Sequence, residues 1–467
     1  MAIFPEVRHR RSPHTHPISP PLRPSFWFHE KGASSMTSDR RSFLKTSAAV
    51  AGGLAAAPYV WSSSYAKAEP KNDRPNIALI GCGGQGSGDA RAASRSGNLV
   101  ACCDVDSGRA ARFVRWAEDR AGVKIDTYED YRKLLERKDI DAIIAGTPDH
   151  WHTAIYIAAV RSGKDVYGEK PLTLTIDEGK RICKAVKESG RVFQVGTQQR
   201  SDRRFQQAIA IARSGRLGKK LTATCCIGAG PKDGPFKETE PPKELNWDFW
   251  LGQAPLVPYI KQRCHFQFRW WLEYSGGKVT DWGTHHVDIA QWGIGAEHSG
   301  PIEVEGSGVF DKRKNCYNTA QTFTCTLKFA NGNKIIVKDG PGNGVHFEGE
   351  KEHIFVKRGS LKGNLVNKIF NDDEEEAKLN AEVAALYGGD RSGGHMGNFF
   401  NCIKDRKDPI SDVYTQHRAI TSCHLCNIAM KLERKLRWDP VKEDFIGDPQ
   451  ASAMRAREQR KPYTIEG

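Results

Sequence analysis

Asp281 and His285 are the residues whose types and spacing first suggest chemistry. They stand four positions apart, so on a helix their side chains lie on one face. A histidine can accept a proton near neutral pH, and a carboxylate can fix the tautomer of its ring. Lys170 would complete such a site, because an ammonium group stabilises alkoxide character at a reacting oxygen. The three residues are therefore candidates for removing the proton of a hydroxyl group whose carbon gives up a hydride.

Each of these residues also has a simpler explanation. Lys170 could form a salt bridge with Glu169 or lie at the surface, and His285 alone would suit a structural role. His286 and Asp288 extend the pattern to His-His-x-Asp, which is similar to a metal-binding pattern. Adjacent histidines rarely converge on one ion, so we predict no metal site.

A glycine-rich turn follows the apolar run of residues 75–80. A stretch of small residues comes next and predicts the start of a helix. The pattern G-x-G-x-x-G in this position lets the backbone approach a pyrophosphate and presents helical N–H groups to that anion. The residues predicted to bind a dinucleotide are Gly81, Gly83, Gly84, Gln85 and Gly86.

Asp104 supports the same interpretation. It ends a second apolar run, residues 99–103, and follows Gly86 by 18 residues. A carboxylate in this position would accept the ribose hydroxyls and repel a 2′-phosphate, which predicts NAD rather than NADP. The alternative is a glycine-rich turn followed by an aspartate that caps a helix.

Strand-like and helical stretches continue to alternate as far as residue 195. The pattern predicts helices over 108–121 and 131–137, and strands over 141–145, 165–167 and 192–195. This alternation predicts a doubly wound parallel sheet, the Rossmann fold. Ligands bind at the carboxyl ends of such strands. The candidate cofactor contacts there are Thr147, Pro148, His150, His152, Glu169, Lys170 and Gln198.

Four motifs occur in an order and spacing that resemble one enzyme family. They are the glycine turn at 81–86, Thr147-Pro148-Asp149-His150-Trp151-His152, Glu169-Lys170-Pro171, and Gly276-Gly277-Lys278-Val279-Thr280-Asp281-Trp282-Gly283-Thr284-His285. On these residues the chain resembles the Gfo/Idh/MocA family of glucose–fructose oxidoreductases and inositol dehydrogenases, over most of residues 75–440. It departs from the family at Asp149, where many relatives have Asn.

The resemblance implies a fold and an activity for each half of the chain. It implies an NAD-binding Rossmann domain over residues 69–200 and a C-terminal α/β domain over 201–467 with a large, open, mostly antiparallel sheet. In the family the outer face of that sheet pairs with another subunit, which implies a homodimer or homotetramer. The resemblance also assigns catalysis to Lys170, Asp281 and His285, with a sugar or polyol as substrate.

Aromatic and basic residues precede the segment that carries Asp281. Arg269 could grip hydroxyl or carboxylate groups, and Trp270 could pack against the C–H face of a sugar. Core packing would explain the tryptophan equally well. The candidate substrate contacts are Arg269, Trp270 and His286.

Composition excludes several classes of protein. With 467 residues, 39% of them hydrophobic, the chain is long enough for two or three domains and is not disordered as a whole. Its formal charge of +14 owes much to residues 1–68, which hold nine basic and three acidic residues, so we predict no nucleic-acid partner. The single Cys-x-x-Cys, at Cys423 and Cys426, lacks a second pair for zinc. We interpret the twelve cysteines as buried free thiols.

The first 68 residues predict an export signal. Arg40-Arg41-Ser42-Phe43-Leu44-Lys45 is followed by an Ala/Gly-rich apolar stretch and by Ala66-Lys67-Ala68, which fits a cleavage site. We interpret residues 36–68 as a twin-arginine signal and 1–35 as an upstream extension, with Met36 as the true start. The apolar stretch is shorter than a membrane span, so we predict release into the periplasm and no stable membrane insertion.

Export constrains the mechanism, because compartments outside the cytoplasmic membrane offer little soluble NAD. Two hypotheses keep the cofactor on the enzyme. In the first, one sugar or polyol reduces the cofactor and a second substrate reoxidises it. In the second, transient oxidation of a ring hydroxyl allows a glycosidic group to leave, so that the net reaction is a hydrolysis. A third hypothesis is a cofactor-binding protein without turnover, and the presence of Lys170 and His285 argues against it.

Overall fold

A computed structural model of the chain describes residues 74–387 and 393–465. The predicted upstream extension, residues 1–35, and the predicted export signal, residues 36–68, lie outside these ranges. Within them, no helix has both the length and the apolar composition that crossing a membrane requires.

The first sheet is built from six short strands. They are β1 (Asn76–Ile80), β2 (Asn98–Cys103), β3 (Asp126–Tyr128), β4 (Ala142–Ala145), β5 (Asp165–Gly168) and β6 (Phe193–Val195). All neighbours are parallel, in the order β3-β2-β1-β4-β5-β6. The predicted Rossmann sheet is confirmed. Strand β3 was not predicted, because three half-exposed residues carry no apolar period.

Five helices accompany this sheet. They are α1 (Gly84–Ala93), α2 (Ser107–Ala121), α3 (Tyr131–Leu135), α4 (Asp149–Arg161) and α5 (Ile176–Ser189). Successive side chains of β1 enter two different apolar clusters: Ala78 packs with α4 and α5, whereas Ile77 and Leu79 pack with α1 and α2. Burial on both faces explains why the strands read as continuous apolar runs. The strand order reverses between β1 and β4, and ligands bind at such a switch point in this fold.

The second sheet has nine strands. They are β7 (Thr222–Cys226), β8 (Glu303–Gly308), β9 (Phe323–Lys328), β10 (Lys334–Lys338), β11 (Gly344–Glu348), β12 (His353–Lys357), β13 (Ser360–Lys362), β14 (Leu436–Asp439) and β15 (Asp444–Phe445). Their order is β13-β12-β11-β7-β10-β9-β8-β14-β15, and only β7 and β10 pair in parallel among the described strands. The mostly antiparallel sheet is confirmed.

Eight helices belong to the second half. They are α6 (Arg203–Arg213), α7 (Trp247–Leu251), α8 (Lys278–Gly293), α9 (Asn364–Phe370), α10 (Asp373–Tyr387), α11 (Gly394–Asp405), α12 (Val413–Leu432) and α13 (Pro449–Ala453). Three 3-10 helices span Gln198–Ser201, Lys261–Arg263 and His265–Trp270. Helices α8 and α12 are buried along most of their length and pack into the core of the second sheet. Helix α8 carries both Asp281 and His285.

The chain returns to the first sheet after completing most of the second. Phe399 and Phe400 of α11 lie in the same apolar cluster as Ile77 and Leu79 of β1. Helix α11, which belongs to the predicted C-terminal domain of residues 201–467, thus packs against the first sheet. The twelve cysteines are all free and eleven of them are buried, as predicted.

Candidate active site

The glycine turn after β1 packs tightly against the end of β4. Gly81 has a φ of +92°, and a Cβ on it would lie 2.8 Å from the carbonyl carbon of Gly146. A Cβ on Gly86 would lie 2.1 Å from the carbonyl oxygen of Gly81, well inside van der Waals contact. Side chains are therefore excluded at both positions, and the turn brings helix α1 against the sheet.

The first cavity, with a volume of about 380 Å³, opens above this turn. Gly83 precedes α1 without a side-chain cap, and no acidic residue lies in the first turn of the described helix. Gly83, Gly84 and Gln85 line the cavity, so the positive end of the helix dipole adjoins it. Thr147 Oγ1, also in the wall, is buried without a hydrogen-bond partner among the described residues. A ligand with hydroxyl groups and a pyrophosphate would satisfy this oxygen and the start of the helix, so the residues present fit a dinucleotide.

Asp104 lies in the wall of the first cavity, as the sequence predicted. Its carboxylate accepts hydrogen bonds from the N–H of Cys82 at 2.7 Å and of Asp106 at 2.9 Å. Burial raises the pKa of Asp104 to about 6, against the lowering effect of these two N–H donors and of Arg109. The carboxylate is thus oriented at the end of β2, next to the glycine turn.

Lys170 and Asp281 meet where the two halves of the chain face each other. Lys170 Nζ lies 2.6 Å from Asp281 Oδ1, and Arg269 Nε lies 3.2 Å from the same oxygen. Burial alone would raise the pKa of Asp281, but the charges of Lys170 and Arg269 outweigh it and hold that pKa well below its ordinary value. Asp281 is therefore an ionised anchor for two cations.

His285 lies with Lys170 and Asp281 in the wall of a second cavity, about 720 Å³ in volume. Burial, and then the charge of Lys170, lower the pKa of His285 well below its ordinary value, so the ring is neutral. Its Nδ1 has no hydrogen-bond partner among the described residues. A neutral imidazole with a vacant nitrogen can accept a proton.

The predicted pairing of Asp281 with His285 differs from the structure. Among the described residues, Asp281 accepts hydrogen bonds from Lys170 and Arg269 and none from His285. Two cations compete for the carboxylate, and they hold it away from the ring. Asp281 acts on His285 only through space, where its charge favours the protonated ring.

The two cavities share part of their walls. Gln85, Glu169, Lys170, Phe266 and Arg269 line both. Gly81, Gly83, Gly84, Thr147 and Pro148 line the first cavity, and Gln198 lines the second. A ligand in the first cavity would therefore adjoin a ligand in the second at Lys170.

His150 and His152 do not line either cavity. Both are fully buried on α4 and lie close to backbone carbonyl oxygens: His150 Nε2 is 2.9 Å from Trp250 O, and His152 Nδ1 is 2.6 Å from Pro171 O. Burial lowers the pKa of His150 to about 3 and that of His152 to about 4. Both rings therefore lie outside the cavity walls and brace the loops that shape the first cavity.

Trp270 and His286 also lie away from the cavity walls, unlike Arg269. Trp270 is 7% exposed, packs in an apolar cluster and donates from Nε1 to Gln267. His286 lies 2.9 Å from Asn343 Oδ1 and stacks on Trp282. Trp270 is therefore a core side chain, and His286 on α8 faces the start of β11.

Several residues of the site were not predicted. Asp149 lines the first cavity, accepts a hydrogen bond from Ser275 Oγ at 2.5 Å, and has its pKa raised to about 7 by burial. Phe266 is 65% exposed and lines both cavities, an unusual position for an aromatic side chain. Only Asp149 had a sequence signal, since it departs from the family motif. The other unpredicted wall residues of the second cavity are Asp89, Gln199, Asp202, Phe205, Trp282 and Arg358.

Two profiles of one protein family match this chain. The profile described as an oxidoreductase NAD-binding Rossmann fold matches residues 75–197, and the one described as an oxidoreductase C-terminal alpha/beta domain matches residues 232–465. The chain belongs to the Gfo/Idh/MocA oxidoreductase family. The resemblance seen in the four motifs is thus confirmed, and the glycine turn lies in the family's NAD-binding domain.

Individual relatives within the Gfo/Idh/MocA family match only in part. Inositol 2-dehydrogenase 2 of Saccharopolyspora erythraea is 33% identical over 226 residues, which make up 48% of this chain and 54% of that protein. A glycosyl hydrolase family 109 protein of Shewanella pealeana is 31% identical over 162 residues, 31% of this chain and 36% of that protein. The matched region therefore spans about half of the first relative and about a third of the second.

Solved structures extend the similarity to most of the chain. The WlbA dehydrogenase of Bordetella pertussis, solved with NADH and UDP-GlcNAcA, has a TM-score of 0.58 and 19% sequence identity. The superposition covers 79% of this chain and 99% of that structure. At this identity the likeness establishes the shared fold.

Proposed function

We propose that the protein oxidises a hydroxyl group of a small sugar or polyol, using an NAD cofactor that stays bound and is recycled within the site. The observation that carries this proposal is the position of Lys170 and His285 in one cavity that adjoins the dinucleotide cavity. The sequence similarity to an inositol dehydrogenase supports a polyhydroxy substrate.

Lys170, Asp281 and His285 of the second cavity each have a part in this reaction. Lys170, held by Asp281, donates a hydrogen bond to the substrate oxygen and stabilises it as it becomes negative. Neutral His285, in the wall of the same cavity, accepts the hydroxyl proton. NAD, when bound, supplies the hydride acceptor.

NAD rather than NADP is supported by Asp104. Its carboxylate lies at the end of β2 in the wall of the first cavity, where it would accept ribose hydroxyls and repel a 2′-phosphate. Arg109 lies in the same wall but is engaged by Asp106, with Nε 3.5 Å from the carboxylate oxygen. The local charge is thus balanced rather than free to bind a phosphate.

Retention of the cofactor is supported by a segment that reaches across the first cavity. His265 Nε2 lies 3.2 Å from Asp106 Oδ2, so the 3-10 helix His265–Trp270 of the second half contacts the dinucleotide-binding half beside Asp104. Phe266 follows in the same wall. These contacts would have to open before a dinucleotide could leave.

Export to the periplasm and self-association complete the proposal. The twin-arginine pattern at Arg40 and Arg41 supports export, and export of a folded protein explains why the cofactor would be retained. The family resemblance supports a homodimer or homotetramer formed through the second sheet. Export is tested by mass spectrometry of the periplasmic fraction, which would detect cleavage of the signal. Self-association is tested by light scattering after gel filtration, which measures the mass of the particle.

A second candidate function is glycoside hydrolysis through transient oxidation of a ring hydroxyl. The similarity to the glycosyl hydrolase family 109 protein supports it, at an identity close to that of the dehydrogenase. This candidate uses Lys170 and His285 for the same oxidation step. It differs in requiring a proton donor for the departing oxygen.

The experiment that tests the proposal starts with the purified, exported protein. We expect denaturation to release about one NAD(H) per chain, and free sugars or polyols added to the native protein to reduce the bound NAD. Turnover should then require a second carbonyl compound. A protein without NAD(H), or one whose NAD no sugar or polyol reduces, contradicts the proposal. Aglycone release from aryl glycosides without an added acceptor would favour the second candidate.

A further inference from the structure

Arg358 brings a positive charge to the wall of the second cavity. It stands in the two-residue turn between β12 and β13, where Lys357 pairs with Ser360. Gly359 completes this turn with a φ of +79°, a conformation that favours glycine, so the turn fixes the backbone from which the Arg358 side chain extends. The same cavity wall contains His285, the proton acceptor of the proposed reaction.

The Arg358 guanidinium is held against an aromatic ring. Its central carbon lies 4.9 Å from the centroid of the Trp282 ring, which also lines the cavity. Trp282 stacks in turn with His286, with ring centroids 5.8 Å apart and an interplanar angle of 27°. An arginine that stacks on an aromatic face keeps the N–H groups at the edge of its guanidinium available for hydrogen bonds. Trp282 therefore orients the cation without occupying its donors.

The described wall of this cavity contains three cations, and Arg358 differs from the other two. Lys170 Nζ and Arg269 Nε both contact Asp281 Oδ1, at 2.6 and 3.2 Å. Arg358 forms no salt bridge and no hydrogen bond with a carboxylate of the described residues. Burial, then the charge of Lys170, then that of Arg358 lower the pKa of His285, so the guanidinium acts on the reacting ring. A cation in this position without a counter-ion suits an anionic ligand.

The acidic residues of the same wall limit the charge of that ligand. Asp89, Glu169 and Asp202 also line the second cavity. Each accepts a hydrogen bond from a neighbouring amide side chain or from backbone N–H groups. Beside these carboxyl groups, Arg358 can balance one negative charge, and the second charge of a phosphate would be left uncompensated. A carboxylate also matches the planar fork of the guanidinium N–H groups.

We propose that the substrate is a sugar acid, whose carboxylate binds Arg358 while one of its hydroxyl groups lies between Lys170 and His285. The proposal rests on the oxidation proposed above and names the chemical class of its substrate. Arg358 lines the second cavity and not the first, so it adjoins the substrate rather than the dinucleotide. It determines specificity and takes no part in the transfer of the hydride or the proton.

The test compares three neutral sugars with their uronic acids on the NAD-loaded protein. The pairs are glucose and glucuronate, galactose and galacturonate, and mannose and mannuronate, whose members differ only in whether carbon 6 is an alcohol or a carboxylate. We expect the acid of at least one pair to reduce the bound NAD with a kcat/KM at least about tenfold higher than that of its neutral partner. The reason is that a hydrogen bond between two charged groups strengthens binding by about 10- to 100-fold.

Arg358→Gln should lower this preference, the ratio of kcat/KM for the acid to kcat/KM for the neutral sugar, by about 10- to 100-fold. The loss should appear as a higher KM for the acid, since Arg358 binds the substrate away from the reacting atoms. Arg358→Lys should restore part of the preference, because it keeps the charge without the planar fork. Lys357→Gln is the matched control. It removes a positive charge from the adjacent exposed residue, which is outside the described cavity wall, and should leave the preference unchanged.

Three results would overturn the assignment. The first is a wild-type protein that prefers the neutral sugar in every pair. The second is an Arg358→Gln protein with an unchanged preference, which would make Arg358 a surface cation only. The third comes from the 6-phosphates of the same three sugars: a wild-type preference for a sugar phosphate over the corresponding acid would mean that the site binds a dianion.

Binding can also be measured without turnover. Isothermal titration of the NAD-loaded protein with the three acids should give, for the preferred acid, a Kd that rises about 10- to 100-fold in Arg358→Gln and stays the same in Lys357→Gln. An equal Kd in wild type and Arg358→Gln, or the absence of binding by every acid, overturns the proposal. An acid that binds through Arg358 but does not reduce NAD would support the carboxylate site and contradict instead the oxidation on which the proposal rests.

Discussion

Lys170 and Asp281 are 111 positions apart in the chain, and their side chains meet at 2.6 Å. The contact joins the end of β5 in the first sheet to the first turn of α8 over the second. It fixes the ammonium at the point where the two cavities adjoin, and it keeps the carboxylate ionised in a buried position. The geometry of the site thus depends on the packing of the two halves.

Replacement of Lys170 by alanine should abolish oxidation while leaving the cofactor bound. The variant loses the group that stabilises the negative substrate oxygen, which typically costs about 10²- to 10³-fold in rate. The measurement is the rate of NAD reduction by free sugar, with NAD(H) content determined after denaturation. Lys124→Ala, at an exposed position in the same half, should match the wild type. Retained activity in Lys170→Ala would refute its assignment as a catalytic residue.

Asp281→Asn should destabilise the protein in a pH-dependent way. The substitution leaves Lys170 and Arg269 without their shared carboxylate in a site where the carboxylate side chain is 10% exposed. Breaking such a pair typically costs about 3 kcal/mol of unfolding free energy. Because the pKa of Asp281 is lower in the folded state, its contribution is fully present above the unfolded pKa of about 4 and is lost as the pH falls below it.

The measurement is urea unfolding of Asp281→Asn and wild type at pH 7 and at about pH 3. We expect the difference in unfolding free energy between the two proteins to be smaller at the lower pH. A difference that stays constant with pH would mean that Asp281 is not an ionised partner of the two cations.

His285→Gln tests the neutral imidazole. Removal of the proton acceptor should lower the rate of oxidation by about 10²- to 10⁴-fold. Its pKa is depressed in the folded protein, so unfolding takes up a proton at this residue below about pH 6.5 and wild type is destabilised there. Relative to the glutamine variant, wild type should lose unfolding free energy as the pH is lowered from 7 to 5. Equal pH dependence of the two proteins would show that the pKa of His285 is not depressed in the folded protein.

The sequence could predict this site only in part, for physical reasons. The glycine turn and the strand ends were predictable because periodicity locates the strands and parallel strands end at one edge. The partner of Asp281 could not be predicted. Spacing on a helix shows which residues share a face, but it does not show which cation from a distant part of the chain will reach the carboxylate. His150 and His152 follow a strand end, yet their rings turn inward to backbone carbonyls. Asp89 carries no motif, although it lines the second cavity.

Asp104→Asn should relax the discrimination against NADP. The amide keeps the shape of the side chain but removes the charge that would face a 2′-phosphate. At an effective dielectric constant of about 20, the repulsion between two close charges amounts to a few kcal/mol. Without the Asp104 charge, the ratio of the Kd for NADP to the Kd for NAD should therefore fall at least about tenfold. Isothermal titration of the cofactor-free protein with both dinucleotides measures this ratio. Asp119→Asn should leave it unchanged, and an unchanged ratio in Asp104→Asn would remove Asp104 from cofactor selection.

Gly86→Ala and Gly88→Ala form a matched pair within α1. A methyl group at residue 86 would lie 2.1 Å from Gly81 O, whereas one at residue 88 meets nothing within 4 Å. In Gly86→Ala the backbone at residue 86 must therefore shift, and the glycine turn moves with it. We expect this variant to lose its bound NAD and to be less stable than the wild type. Gly88→Ala should keep the cofactor and gain about 0.5–1 kcal/mol from helix propensity. Thermal unfolding and the NAD(H) content after denaturation distinguish the two variants. A Gly86→Ala protein that still contains NAD(H) would show that the shape of the glycine turn does not determine dinucleotide binding.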